Sequence, residues 1–129
     1  MTLEARIRSP KKSPVEVHDA PDGHDVIIEG RIDVHTVPDI RDAVHEVIGR
    51  GPGVVRLHLG GAEIGDATGL GVILHLHRRA SREERWLLVV DPSDRTRRLL
   101  RGCRLDRLMT PRHVGSGVRG RRTVAPLTA

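Results

Sequence analysis

The chain has 129 residues, 37% of them hydrophobic, which is enough for one domain with a single core. Phe and Tyr are absent and Trp86 is the one aromatic residue, so the core must consist of Val, Ile and Leu. The same absence leaves no aromatic row on which bases could stack, which argues against binding of single-stranded nucleic acid.

The location of the protein is indicated by three simple features. The single cysteine, Cys103, cannot form an internal disulfide, and this suits the reducing cytoplasm. The first residues, MTLEARIRSPKK, lack the apolar stretch of a signal peptide, and no apolar run approaches the ~20 residues that span a membrane. We therefore expect a cytoplasmic protein without a membrane partner.

The net charge of +5 is spread unevenly along the chain. Residues 1–77 hold 8 Lys and Arg against 12 acidic residues, a net −4, whereas residues 78–129 hold 14 Arg against 5, a net +9. A basic half can bind nucleic acid or an acidic protein surface, or it can simply be a solvated surface. Because stacking residues are missing, we do not expect nucleic acid to be the partner.

Strand signals begin after a polar lead-in at residues 1–14. The segments VEVHD at 15–19 and HDVIIEG at 24–30 predict two strands, which a turn at Asp22-Gly23 joins into a hairpin. The period of the apolar residues then changes from that of a strand to that of a helix.

This first helix has recognisable start signals. Thr36 is a candidate N-cap, and Pro38 suits the first turn of a helix. GVVRLHLG at 53–60 predicts the next strand. The inward face of the helix is predicted to consist of Ile40, Val44, Val47 and Ile48.

A second helix is predicted to follow the small residues at 69–71, which lead into VILHLHRRA. RWLLVVDP at 85–92 is a continuous apolar run, which is typical of a strand buried on both faces. The inward face of the second helix is predicted to consist of Leu70, Ile73, Leu74 and His77.

The last predicted element is a basic helix at 93–109, with Leu99 and Leu100 turned inward. The alternation of strands and helices predicts one α/β domain at 15–112 with parallel central strands. Residues 113–129 are rich in Arg and Gly and lack periodicity, so we expect a flexible tail.

Motifs of catalysis are missing from the sequence. It contains no phosphate loop, no G-x-G-x-x-G fingerprint and no G-x-S-x-G elbow, and a structural thiol is the simpler interpretation of Cys103. His75 and His77 are two apart on a predicted helix and so point to different faces, while His58 has no Cys or carboxylate at ligand spacing. We therefore predict no catalytic residue, no cofactor and no metal.

Two aspartates stand at positions of greater interest. Asp33 and Asp66 each follow a predicted strand at the start of a helix, and this is the edge where α/β sheets place their sites. The simpler interpretation is that Asp66 only caps its helix, which is worth about 1 kcal/mol. Ala67 comes directly after Asp66 and has no functional group.

Three segments, VIIEGRIDVHTVPDIRDAV, VVRLHLGGAEIGDATGLGVILHLHRRA and LLVVDPSDRTRRLLRGCRLDRLM, resemble the STAS domain family, above all the stand-alone bacterial anti-sigma factor antagonists. The G-x-[IL]-D element at 30–33 and the D-x-[ST]-G-L-G element at 66–71 carry the resemblance. It implies a four- or five-stranded mixed sheet with helices largely on one side. It also implies a protein without catalysis, which binds a kinase-type anti-sigma factor and so releases a sigma factor.

In this family the partner kinase phosphorylates a Ser or Thr directly after the motif aspartate, which Asp66 matches. Ala67 occupies that phosphoacceptor position, so the resemblance implies a protein that cannot be phosphorylated there. Thr68 could instead be the acceptor, or the domain could serve another signalling assembly. The resemblance implies a partner-binding site formed by Asp33, Asp66, Ala67, Thr68, Gly69, Leu70 and Gly71.

Overall fold

The computed structural model of the protein describes residues 14–109, in which a hairpin is followed by alternating helices and strands. The strands are β1 (Val15–Ala20), β2 (Gly23–Ile32), β3 (Val54–Ile64) and β4 (Trp86–Val90), and the helices are α1 (Val37–Ile48), α2 (Ala67–Arg82) and α3 (Asp94–Gly102). A 3-10 turn at Asp106–Leu108 follows α3. Apart from Pro14, the predicted lead-in and tail lie outside the described residues.

The four strands form one sheet in the order β1-β2-β3-β4. β1 pairs antiparallel with β2, whereas β2–β3 and β3–β4 are parallel pairs. The predicted α/β class, the mixed sheet and its parallel central strands are therefore confirmed. The hairpin loop is Pro21-Asp22, because Ala20 already pairs with Gly23; the turn lies one residue earlier than predicted.

Helices cover one face of this sheet and leave the other face open. In residues 23–28 of β2 and 54–59 of β3, half-buried residues alternate with buried ones, and beyond them the residues between the buried positions are exposed. β4 is an edge strand, and its outward side chains Leu88 and Val90 are half-buried while Trp86 is 60% exposed. The prediction that this strand is buried on both faces is therefore wrong, because an edge strand of a one-sided sheet has only one covered face.

The buried face of α2 differs by one position from the prediction. Of the predicted residues Ile73 is fully buried, whereas Leu70, Leu74 and His77 are half-buried. The difference arises because α2 turns the small residues Gly69 and Ala80 inward, which periodicity in large apolar residues does not reveal. The fully covered positions are Gly69, Val72, Ile73, Leu76 and Ala80.

α3 is shorter than the predicted helix at 93–109. Its backbone turns after Gly102, where Arg104 adopts a left-handed conformation with φ 62° and the Leu105 N–H donates to the Leu100 carbonyl at 2.8 Å. Such a bond closes a helix C-terminus. Leu100 is fully buried, as predicted, whereas Leu99 is half-buried.

Arg85, just before β4, is a buried cation that holds the end of α1 in place. Its Nη1 donates to the carbonyl oxygens of Val47 at 2.7 Å and Ile48 at 3.2 Å. Its other nitrogens donate to the carbonyls of Pro52 and Gly53, both at 3.1 Å. The guanidinium thereby satisfies C-terminal carbonyls of α1 that have no partner within the helix.

Candidate functional site at the starts of α1 and α2

The parallel pairing of β2 and β3 determines where the site lies. Ile32 at the end of β2 is in register with Ile64 at the end of β3, so the segments that follow the two strands leave the sheet at the same edge. Asp33 follows the first of these strands and Asp66 the second. The structure therefore places both aspartates, and the N-terminal ends of α1 and α2, at the same edge of the sheet.

Asp66 joins the two helix starts through both of its carboxylate oxygens. Oδ1 accepts the N–H of Gly69 at 2.9 Å, which caps α2. Oδ2 accepts the N–H of Val34 at 3.1 Å, across 32 residues of sequence. Because of this cap, α2 begins at Ala67, and residues 66–71 are the N-cap and first turn of the helix rather than a loop before it.

The loop at 33–36 is organised by Asp33. Its Oδ1 accepts the N–H groups of His35 at 2.9 Å and Thr36 at 3.3 Å, and its Oδ2 accepts from Arg31 Nε at 3.3 Å. The hydrogen bond from the His35 N–H, helped by Arg31, lowers the pKa of the Asp33 carboxyl against the effect of burial. Asp33 is therefore ionised at neutral pH.

Thr36 stands at the N-cap position of α1, as predicted, but its hydroxyl does not cap the helix. Instead Oγ1 accepts the N–H of Asp33 at 3.0 Å and donates to the Arg31 carbonyl at 2.7 Å. Thr36 adopts helical dihedral angles, φ −102° and ψ −19°, rather than the extended angles of a capping residue. Its side chain therefore stabilises the turn that presents Asp33.

The solvent-facing part of this site consists of Val34, Ala67 and Thr68, which we call the helix-start surface. Ala67 and Thr68 are exposed, and so is 55% of Val34. Sequence reasoning missed Val34. Single exposed apolar residues are common on protein surfaces, so the sequence carried no signal that set Val34 apart.

The three predicted residues at 69–71 differ in their roles. Gly69 is buried, and a Cβ there would overlap the carbonyl oxygen of Ile32, so α2 can approach β2 this closely only without a side chain. Gly71 is exposed and a Cβ there would meet nothing within 4 Å. Leu70 packs at the margin of the core. Of the two glycines, Gly69 is the one that the architecture requires.

Arg31 is the cation next to the helix-start surface. Its Nη2 donates to the carbonyl of Gly65 at 3.2 Å, which brings the guanidinium beside the residue that precedes Asp66. The side chain is 66% exposed, so it can turn toward an anion. A Cβ at Gly65 would meet this guanidinium at 2.5 Å, and the exposed Arg31 side chain could turn aside to admit it.

A second polar cluster lies on the open face of the sheet, away from the helix starts. His58 Nε2 lies 2.7 Å from Asp25 Oδ1, and Arg56 contacts both Asp25 and Asp22. Burial opposes ionisation of Asp25, but hydrogen bonds from Arg56 and His58 outweigh it and lower the pKa of that carboxyl. The prediction that no carboxylate lies near His58 is wrong, since strand pairing brings Asp25 there from 33 residues away.

Other chemistry was sought in the part of the chain that the structure describes. Residues 14–109 contain no group of three or more His, Cys, Asp or Glu side chains that could hold a metal ion. Cys103 is exposed after α3. Within the same residues no helix has the length and apolar character needed to cross a membrane.

The decisive comparison is with models of protein families. The model of the STAS domain matches residues 16–119, which is most of the chain. The chain belongs to the STAS domain family. A comparison with curated proteins finds no match.

Solved structures share the fold of this STAS domain. An anti-sigma factor antagonist from Mycobacterium paratuberculosis aligns with a TM-score of 0.67 and 24% identity over 80% of this chain and 89% of that one. The phosphorylated form of the Bacillus cell fate determinant SpoIIAA aligns with a TM-score of 0.61 and 19% identity, over 74% and 88% of the two chains. A putative anti-sigma factor antagonist from Thermotoga maritima aligns with a TM-score of 0.61 and 21% identity, over 74% of this chain and 82% of that one.

The double role of Asp66 leads to a prediction about stability. Asp66→Ala removes the acceptor for two N–H groups and should lower the free energy of unfolding by about 1–2 kcal/mol. Asp66→Asn keeps one acceptor oxygen and should lose about half as much. Urea unfolding measures both, and the amide resonance of Val34 should shift in each variant. Unchanged stability in Asp66→Ala would show that the carboxylate does not join the two helix starts.

Proposed function

We propose that this STAS domain is an anti-sigma factor antagonist, which binds a kinase-type anti-sigma factor in the cytoplasm and so releases a sigma factor. The observation that carries the proposal is the bridge from Asp66 Oδ2 to the Val34 N–H, which makes one surface of two segments far apart in sequence. The family and the fold shared with antagonists support the same role.

The helix-start surface has the composition of a docking site. Val34 offers an exposed apolar side chain, and covering it with a partner would remove apolar surface from water. Asp33 beside it is ionised and supplies charge complementarity for a basic group of the partner. We assign partner contact to Asp33, Val34 and the exposed start of α2, and a positioning role to Asp66 and Gly69.

Ala67 suggests that the antagonist stays in its binding-competent state. The residue is exposed at the first position of α2, where a phosphate would lie at a helix N-terminus. Without a hydroxyl there, the partner's kinase activity has no acceptor at the usual position. The complex would then persist in the presence of ATP.

A second candidate mechanism is favoured by the exposure of Thr68 beside Ala67. Its hydroxyl is accessible, so a kinase could use it as a shifted acceptor. Consecutive helix positions differ by about 100° around the axis, however, so a kinase aligned on residue 67 would reach it poorly. If no kinase-type anti-sigma factor binds, the domain would serve as an interaction module of another signalling assembly.

The test is direct binding of the full chain to each kinase-type anti-sigma factor encoded in the same genome. Calorimetry with and without ATP, followed by mass spectrometry of the chain, measures affinity and modification together. We expect one factor to bind, ATP to leave the affinity unchanged, and the sigma factor to be displaced. Failure of every such factor to bind would reject the sigma-pathway role and favour a module of another assembly.

Val34 gives the most specific test of where the partner binds. Val34→Ala removes exposed apolar surface without touching the backbone N–H that Asp66 accepts, so it should weaken binding by about tenfold, or about 1.4 kcal/mol, if the partner buries the two lost methyl groups. Trp86→Ala is the matched control, since Trp86 is equally exposed on the far edge strand. It should leave the affinity unchanged. Equal losses in the two variants would argue against the helix-start surface as the docking site.

A further inference from the structure

A pair of histidines joins α1 to α2 away from the helix-start surface. His45 lies in the last turn of α1 and His75 in the middle of α2, 30 residues apart in sequence. Their Nε2 atoms are 2.8 Å apart, the ring centroids are 4.9 Å apart, and the ring planes are inclined by 47°. The rings thus meet through the nitrogens that bind metals.

Both rings cannot carry a proton on each nitrogen at this distance. At this distance one ring donates its Nε2–H to the Nε2 lone pair of the other. A cation can bind between the two Nε2 atoms once the donor ring carries its proton on Nδ1 instead, which frees both Nε2 lone pairs.

We propose that His45 and His75 form a two-histidine site for a divalent transition metal, with Cu²⁺ and Ni²⁺ preferred over Zn²⁺. Imidazole nitrogens are good ligands of all three ions. For a metal–nitrogen distance of about 2.05 Å, nitrogens 2.8 Å apart subtend about 86° at the metal. This is close to the right angle of square-planar and octahedral coordination, which Cu²⁺ and Ni²⁺ adopt.

A tetrahedral ion fits the pair less well. An angle of about 109° would require the nitrogens to be about 3.3 Å apart, so the two helices or their side chains would have to separate to accept Zn²⁺. Since the described residues supply no group of three ligands, water must complete the coordination. The rings also point nearly head to head, so each must turn by roughly 47° to direct its lone pair at an ion about 2.05 Å from both nitrogens.

Other histidines of the described region are engaged in ways that disfavour a metal. His58 hydrogen-bonds Asp25, but the guanidinium of Arg56 contacts the same carboxylate and would repel a cation. Nδ1 of the buried His24 accepts from Arg85 at 2.9 Å. A metal on the His45–His75 pair would link the two helices whose N-terminal ends form the helix-start surface.

The experiment is titration of the tag-free full chain with NiCl₂, CuCl₂ and ZnCl₂ at pH 7.5, by calorimetry and thermal unfolding. We expect one equivalent of Ni²⁺ or Cu²⁺ to bind and to raise the Tm, with weaker binding of Zn²⁺. His45→Gln and His75→Gln should each lower the affinity at least tenfold. His35→Gln and His113→Gln are the controls, and each should bind as the unaltered chain does.

Electron paramagnetic resonance of the Cu²⁺ complex gives a readout that does not depend on stability. Two coordinated imidazole nitrogens should appear in the hyperfine pattern of the unaltered chain and of the two controls, and one in that of His45→Gln and His75→Gln. Metal binding that is equal in all five proteins, or a spectrum with one nitrogen throughout, would place the ion elsewhere and overturn the proposal. Tighter binding of Zn²⁺ than of Ni²⁺ would overturn the geometric preference.

Discussion

Replacing Gly69 by alanine should destabilise this protein by about 3 kcal/mol, because overpacking at a backbone contact forces main-chain shifts. The added Cβ would overlap the carbonyl oxygen of Ile32, which is backbone at the end of β2 and cannot rotate away as a side chain can. α2 would have to move outward. That movement would stretch the hydrogen bond from the Val34 N–H to Asp66, which joins the two helix starts.

Gly71→Ala is the matched control, two residues further along the same helix. A Cβ there meets nothing within 4 Å, so the substitution should raise stability by up to about 1 kcal/mol through helix propensity. Urea unfolding of the two variants measures the difference. If Gly69→Ala proved as stable as the unaltered chain, the close approach of α2 to β2 would be wrong.

Ala67→Ser should convert a persistent complex into one that ATP dissolves. The serine hydroxyl would stand at the exposed first position of α2, with open solvent around it. Phosphorylation adds nearly −2 of charge beside Asp33 and Asp66, inside the proposed interface. We expect the affinity for the anti-sigma factor to fall roughly 100-fold, or about 2.7 kcal/mol, once ATP is present.

The unaltered chain in the same assay is the control, and its affinity should not change with ATP. Ala67→Asp should weaken binding without ATP, although less than the phosphate does, since a carboxylate carries a single charge. Phosphate mapped to Thr68 of the unaltered chain, with release of the partner, would replace the persistent complex by a shifted switch. An Ala67→Ser variant that no bound kinase modifies would contradict the phosphoacceptor assignment.

Much of this fold could be predicted because its signals are local. The alternation of apolar residues in β2 and the helical period of Ile40, Val44 and Val47 appear in the sequence, and the structure buries these three completely. The two aspartates could be placed at one edge because the strands before them were expected to be parallel. Parallel strands end on the same side of a sheet, so strand direction alone brought Asp33 and Asp66 together.

The errors arose where a residue's environment depends on elements that are distant in sequence. The apolar run of β4 was interpreted as a strand buried on both faces, yet β4 lies at an edge where only one face is covered. The inward face of α2 was predicted from its large residues, whereas the closest contact with the sheet is made by Gly69. Periodicity in hydrophobicity cannot detect a position whose role is to have no side chain.

The sequence by itself determined the order of the elements, the α/β class, the family resemblance and the absence of a hydroxyl at residue 67. These properties follow from chain order and residue type, which folding does not change. Only the tertiary structure decided that Asp66 bridges to Val34, that Arg85 is buried against the end of α1, and that His45 meets His75. Each of these contacts joins groups at least 30 residues apart, and strand register and helix packing alone set such distances.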